Sequence, residues 1–470
     1  MKLFGLLRPH HVDGNLRPPA KIVIVGGGYT GFYAAWKLQK RLRQGEARVV
    51  LIDPLPYMTY QPFLPEVIAG SIEARHIVVS FRRHLKRTQL LTAHVSYISH
   101  ATKTVTITGP AGSSSKLDYD ILIVTAGAVS RTFPIPGVAE EAIGLKNIEE
   151  AVTIRDQLLR NFQEAAGLPR GPERRRLLTV TFVGGGYAGV EGIGELRALA
   201  TELLRFFPEL TPEDTEFHLI EASSRILPEI SEKTAQWVVR HLTDRGMHVH
   251  LSTQLLSARD GTIELSTGQS FDSALLVWTA GVMANPSITR HTDLPVDSRG
   301  RITVRPDLQA TTTEAAIPGV WAGGDNAAVP DLTDGGVDGF TVPNAQHAVR
   351  QGKLLARNVT ATLRGRRVRD YKHRNLGTVA TLGLGSGVFQ SGRIVIKGWP
   401  AWAVHRVYHG FAVPSWERKW RVMSDWGLNA LLGRDIIGLH GLESPRATFQ
   451  RFAARPGSTP PISRCPISDP

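Results

Sequence analysis

The chain has 470 residues, of which 42% are apolar and 21% charged, with a formal charge of +13 and a pI near 10. That length and apolar content exclude a disordered chain and call for two or three domains, and the positive balance points to a polyanionic neighbour, either membrane headgroups or nucleic acid. The single cysteine, Cys465 in a Pro/Ser-rich tail, excludes a CxxC redox disulfide, a cysteine-ligated iron–sulfur cluster and structural disulfides, so any redox chemistry rests on an organic cofactor.

No stretch approaches the roughly 20 apolar residues that span a bilayer. Residues 1–7 are too short, and too close to Arg8 and His10, for a secretory signal, so the protein is expected to start in the cytoplasm. The 16 histidines show no HExxH-like spacing, and no metal centre is expected.

Residues 1–20 read as a leader that Pro18-Pro19 closes. Residues 21–25 form an apolar strand that meets Gly26-x-Gly28-x-x-Gly31, then a helical pattern, then a second strand ending in Asp53. Gly26 permits a tight turn, Gly28 lets a pyrophosphate approach the main chain, and Gly31 lets helix and strand pack closely. The helix N-terminus attracts the diphosphate, and Asp53 stands where a carboxylate meets the ribose hydroxyls of an adenosine.

Residues 54–70, PLPYMTYQPFLPEVIAG, are proline-interrupted and read as loop and short helix. Residues 75–79 and 90–107 read as strands, residues 109–115 as a hairpin loop, and residues 119–124 as a buried strand running into Thr125-Ala126-Gly127. A helix is expected over 148–165. Residues 167–176, with three consecutive arginines, read as an exposed, solvated connection.

The opening pattern then recurs. A strand over 178–183 meets Gly184-x-Gly186-x-x-Gly189, a helix follows over 190–207, and a second strand ends in Glu221. The acid follows the last glycine by 22 residues in the first unit and by 32 in the second, a difference the longer helix and its FFPELTPED loop absorb. Two such fingerprints imply two dinucleotides bound by two domains. A strand over 274–277 runs into Thr279-Ala280-Gly281, echoing residues 125–127, and both junctions are expected to mark chain crossings between the domains. Residues 319–325, GVWAGGD, end a strand in Gly324 and Asp325, and a helix is expected over 342–362. Residues 398–426 hold five of the nine tryptophans among Arg406, Arg418, Lys419 and Arg421. Val404, Val407, Tyr408 and Phe411 form one helical stripe, and Trp416, Trp420 and Met423 form a second. Residues 456–470 read as a disordered tail.

The two fingerprints, the TAG strands, GVWAGGD and the cysteine-free chemistry resemble the two-dinucleotide-domain flavoproteins. Within these the chain is most similar to the single-subunit, non-pumping type II NADH dehydrogenases, over residues 20–450. GGGYTG…LID, YQPFLPEVIAG, FVGGGYAGVEGIGEL, IEASSRILP, VWAGGD and PNAQHAVRQG follow in family order.

The resemblance implies an α/β fold with two Rossmann-like dinucleotide-binding domains plus a C-terminal membrane-docking region of amphipathic helices. It divides the chain into a leader (1–20), an FAD-binding domain (21–150 and 290–370), an NADH-binding domain (151–289), a membrane-associating region (371–455) and a tail (456–470). The first fingerprint is expected to bind FAD, with Asp53 on the adenosine ribose and Asp325 on the ribityl chain; Gly127, Gly281 and Gly324 are expected cofactor contacts. The second is expected to bind NADH, with Glu221 on its ribose, although Arg225 leaves room for a 2′-phosphate. Glu191 matches a carboxylate at the flavin–nicotinamide junction, and Glu195 reads as a packing residue. Ala345-Gln346 opens the quinone-site pattern AQxAxQ, from which Arg350 departs in place of the second glutamine, with Gln351 beside it.

The implied activity is electron transfer from NADH to a membrane quinone in the respiratory chain, on the cytoplasmic side of the membrane. The Trp/Arg helices would face anionic lipid, which favours a membrane over nucleic acid as the polyanion; a domain lid or a homodimer interface is the other use for them. A soluble NAD(P)H reductase with a ferredoxin-like or small-molecule acceptor, and a redox-sensing flavoprotein, remain as alternatives.

Overall fold

The computed structural model describes residues 18–333, 336–373, 377–438, 446 and 449–451. The leader up to residue 17 and the tail with Cys465 lie outside the described residues. A six-stranded sheet has the order Gln309–Thr311, Ala316–Ala322, Ile121–Val124, Ala20–Val25, Ala47–Asp53, Thr88–Thr92. All neighbours are parallel except the first pair. Its central strands are buried along most of their length, because residues of the helix Tyr29–Arg41 and of the antiparallel strands His94–Ser99 and Thr104–Thr108 share one core with them. Helix α1 (Tyr29–Arg41) follows the first strand. The short helix α2 (Leu64–Ile68) comes next in the chain, and every residue in it is buried. The proline-interrupted stretch thus begins on the surface at residues 54–56 and ends in the core.

A second, all-parallel sheet has the order Ala142–Gly144, Leu275–Trp278, Thr179–Val183, Glu216–Ile220, Met247–His250. Helix α3 (Tyr187–Leu203) follows its central strand. Ala128–Ser130 and Val282–Ala284, the segments after the two TAG turns, pair antiparallel into a ribbon. Helix α4 (Ala345–Leu363), capped by Asn344, lies along α1. Gly352 makes that approach possible, since a Cβ there would stand 2.4 Å from the Thr30 carbonyl oxygen.

The C-terminal part opens with an antiparallel sheet of Thr378–Thr381, Gly387–Ser391 and Ile394–Lys397. Helices α5 (Trp399–Ala412) and α6 (Trp416–Leu432) follow. Its buried residues Ala380, Leu382, Val388, Val413 and Val422 share one core with the second sheet, α3 and α2.

Three local expectations need correction. The exposed connection at 167–176 runs into a helix, Pro172–Leu178, whose first turn accepts a proline. Arg174 lies on its inner face, buried, and donates to Leu168 O and to the Asp214 carboxylate at 2.8 Å, so it is not solvated. The expected strand at 75–79 is a turn of 3-10 helix, Ala74–Ile77, before the strand Val78–Ser80. The expected long strand at 90–107 is three: Thr88–Thr92 joins the parallel sheet, while His94–Ser99 and Thr104–Thr108 pair antiparallel around a turn with Lys103 at φ 51°.

The C-terminal sheet seats on α3 at Gly194, where a Cβ would stand 2.7 Å from the Leu382 carbonyl carbon. Gly194→Ala is expected to lower stability by about 1–3 kcal/mol through overpacking. Thermal unfolding beside the parent protein measures it.

Candidate functional site

Two loops of the same construction stand at the carboxyl ends of the two sheets. In the first, Gly26 takes φ +94° and Gly31 has no room for a side chain, since its Cβ would fall 1.8 Å from the Gly26 carbonyl oxygen. In the second, Gly184 takes φ +111° and a Cβ on Gly189 would fall 1.9 Å from the Gly184 oxygen. A Cβ on Gly28 or on Gly186 would meet nothing within 4 Å. The middle glycine of each loop therefore faces open space at a helix N-terminus, where a diphosphate fits.

The terminal acids bolt the loops in place. Asp53 Oδ2 accepts from Gly27 N–H at 2.6 Å and Oδ1 from Leu55 N–H at 2.8 Å. Glu221 Oε2 accepts from Gly185 N–H at 2.6 Å and Oε1 from Ser223 N–H at 2.7 Å. Burial pushes the Asp53 carboxyl up, against the pull of the two N–H donors. Each carboxylate keeps lone pairs for ribose hydroxyls. Leu55, Pro56, Phe81 and Thr92 line a shallow cleft beside Asp53. Arg225, the candidate for a 2′-phosphate, donates from Nη2 to the carbonyls of Pro228 and Ile230. The TAG threonines complete the frame: Thr125 Oγ1 donates to Gly26 O and Thr279 Oγ1 to Gly184 O, at 2.8 and 3.0 Å. Gly127 and Gly281 follow at φ +66° and +98°, both facing open space.

Asp325 follows Gly324, which packs on Thr30 at the start of α1, and is half-buried, with Lys146 Nζ 4.0 Å from its carboxylate. Burial pushes its carboxyl up and Lys146 pulls it down. Gly324 precedes it at φ +78°, its N–H donating to Gln351 Oε1 at 2.7 Å. A cavity of about 580 Å³ adjoins Asp325 and is lined by Ala128, Arg131, Arg301, His347 and Gln351 among others. His347 and Gln351 face it from α4, whereas Gln346 and Arg350 are not among its walls. Arg350 folds back to donate to Gln346 O, and Gln346 Oε1 meets His373 Nε2 at 3.2 Å. Burial and the nearby His373 push the His347 imidazole down to about 4.

Glu191 and Glu195 share one face of α3, both buried. Thr381 of the C-terminal sheet binds both, through N–H to Glu191 Oε1 at 3.0 Å and through Oγ1 to Glu195 Oε1 at 2.8 Å. His405 Nε2 on α5 lies 3.3 Å from Glu191 Oε1. Burial alone would push the His405 imidazole down; Glu191, Glu66 and Glu195 outweigh it and hold the ring above the usual histidine range. Sequence reasoning missed Glu66, Lys146, His405 and the TAG threonines. Glu66 left one signal, as the lone charge in the apolar run FLPEVIAG.

The profile of the pyridine nucleotide-disulphide oxidoreductase family matches residues 20–352. The type II NADH:quinone oxidoreductase Ndh of Mycobacterium tuberculosis is 29% identical over 434 residues, covering 89% of this chain and 90% of that protein. The type II NADH:quinone oxidoreductase of Staphylococcus haemolyticus is 26% identical, covering 78% and 89%. The structure of NDH2 from Plasmodium falciparum in complex with NADH superposes with a TM-score of 0.81 at 19% identity, covering 90% of this chain and all of that one, a likeness of fold.

The open and closed glycines separate by substitution. Gly28→Ala is expected to leave the melting temperature of cofactor-free protein unchanged while weakening dinucleotide retention about tenfold or more. Gly31→Ala is expected to disrupt folding itself. Melting curves with and without added FAD measure both effects.

Proposed function

The chain belongs to the pyridine nucleotide-disulphide oxidoreductase family, and on that premise we propose that it is an FAD-dependent NADH:quinone oxidoreductase of type II, without proton pumping. The observation that carries this reading is the duplicated loop, Gly27 N–H on Asp53 and Gly185 N–H on Glu221, both at 2.6 Å, which supports two dinucleotides at once. The two named relatives, each covered over most of its length, support quinone as the acceptor.

The first loop, Asp53 and Asp325 fit FAD: open space at Gly28 for its diphosphate, and carboxylate acceptors for its hydroxyls. When bound, FAD supplies a two-electron carrier between a hydride donor and a quinone. The chain's own residues orient the partners. Glu221 accepts from the ribose hydroxyls of NADH and repels a 2′-phosphate, while Arg225 Nη2 already donates to backbone carbonyls. Lys146 holds a positive charge at the ribityl-binding Asp325. Glu191 and His405 hold a proton at Nε2 near the junction of the two domains. Gln351 and His347 present polar groups to the 580 Å³ chamber, and Gln346 and Arg350 brace the neighbouring turn of α4.

The C-terminal helices are the membrane contact in this reading. Trp416 and Trp420 are 68% and 66% exposed, with Val407, Phe411 and Leu431 exposed nearby. Arg83, Lys419 and Arg421 add cations, and Lys419 lies over the Trp416 ring. Tryptophan at headgroup level beside cations suits an interfacial helix on the cytoplasmic, NADH-bearing side. Among the described residues no helix is long and apolar enough to cross a membrane.

Steady-state oxidation of NADH by a short-chain quinone tests the function, and parallel double-reciprocal lines are expected. An acceptor restricted to a soluble electron-carrier protein would contradict it. NADH is expected to exceed NADPH in kcat/KM by about 100-fold, and Glu221→Ala to erase most of that preference. On vesicles rich in anionic lipid, Trp416→Ala with Trp420→Ala is expected to weaken cosedimentation about tenfold or more, and high salt to weaken it in the parent protein.

A further inference from the structure

Glu66 is a buried acid that neither dinucleotide loop uses. It sits on α2 and is 1% exposed. Its Oε2 accepts the indole N–H of Trp426 on α6 at 2.7 Å and lies 3.3 Å from Arg406 Nη2 on α5. Its Oε1 lies 3.9 Å from His405 Nδ1, on the side of the ring opposite Glu191.

The other charged and titratable groups around His405 come from every neighbouring element. Glu195 stands behind Glu191 on α3, 3.8 Å from Arg434 Nη2, with Arg245 also acting on it. On α5 itself, the His409 ring is 4.6 Å away, and its Nδ1 meets the Tyr60 hydroxyl at 2.9 Å. Arg406 is turned aside, stacked between Trp402 and Trp426. Neither nitrogen of His405 makes a well-formed hydrogen bond. The ring is held by carboxylates on both sides, so charge rather than a directed bond sets its place.

We propose that Glu66 is a positioning residue for the NADH half-reaction: it anchors Arg406 and Trp426 of the two C-terminal helices and holds the His405 imidazole as a cation against Glu191. The proposal rests on the NADH reading above and extends it, because it ties the seating of the membrane-facing helices to the acid at the domain junction. Burial pushes the Glu66 carboxyl up, while Arg406, His405 and the Trp426 indole pull it down; Glu66→Gln takes away the carboxylate that faces His405 Nδ1 and favours the imidazolium. His405 then loses its proton at lower pH, and Glu191 loses its counter-charge at neutral pH.

The test uses full-length, FAD-loaded protein. In Glu66→Gln, anaerobic flavin bleaching by NADH is expected to slow on the order of tenfold at pH 7.5 and to recover at pH 6, its pH break displaced downward by about one unit. Glu66→Asp is expected to restore the parent pH profile. Trp426→Phe, which removes the indole donor and leaves the carboxylate, is expected to keep that profile. A Glu66→Gln profile that superimposes on the parent's overturns the proposal, as does a Trp426→Phe profile that shifts with it. A second readout needs neither turnover nor a folded Glu66 variant. With ring-labelled histidine, the NMR signal missing from His405→Gln is expected at the imidazolium position at pH 7.5 in the parent protein, and a neutral ring overturns the proposal. If the parent fails to bleach with NADH, the NADH reading falls while the ring signal still decides the charge.

Discussion

Everything that holds a cofactor in this chain depends on one short bond, made twice. A carboxylate at the end of the second strand of each sheet accepts the N–H of the glycine after the first turn, at 2.6 Å in both copies. Each loop is glycine-rich and would otherwise be mobile, because glycine carries the largest backbone entropy of any residue. The acid fixes the loop, and the TAG threonine fixes it from the other side through the first glycine's carbonyl. The open face at Gly28 and at Gly186 exists because these bonds hold the backbone away from it. The carboxylate proposed to meet the ribose is thus also a structural bolt, and replacing it is expected to disturb both roles.

The second organising feature is the way the C-terminal region closes on the rest. The sheet beginning at Thr378 and helices α5 and α6 share the core of the second parallel sheet rather than forming a separate body. They do so over a set of buried charges: Glu66 from α2, Glu191 and Glu195 from α3, His405 and Arg406 from α5, and Arg434 after α6. Buried charges of this kind are costly to desolvate, and a fold keeps them only where they are paired. These charges put α5 in electrostatic contact with Glu66 on α2 and with Glu191 on α3.

Much of this was legible in the residues. Glycine spacing, strand hydrophobicity and a terminal acid fix the loop because each is a steric or hydrogen-bond requirement that few sequences meet by chance. Helices α1 and α3 and the stripes of α5 and α6 were readable from their period for the same reason. The long-range pairings were not. Glu66 meets Trp426 across 360 residues, and Thr381 meets Glu191 across 190, distances at which local pattern carries no information. Arg174 shows the same limit: within a run of three arginines, only its place on the inner face of Pro172–Leu178 decides that it is buried. The AQHAVR segment lies inside the helix expected over 342–362, which starts at Ala345. Which of its side chains faces the chamber was set by the register of α4 against Gly324, which turned Gln351 and His347 inward.

The most direct test of the account follows the flavin absorbance of the purified, FAD-loaded protein without oxygen. Adding NADH is expected to bleach the flavin rapidly, and then adding a short-chain quinone to restore the starting spectrum as rapidly. Bleaching that quinone does not reverse would contradict quinone as the acceptor, and an absence of bleaching by NADH would contradict the pairing of the two dinucleotide sites on which the account stands.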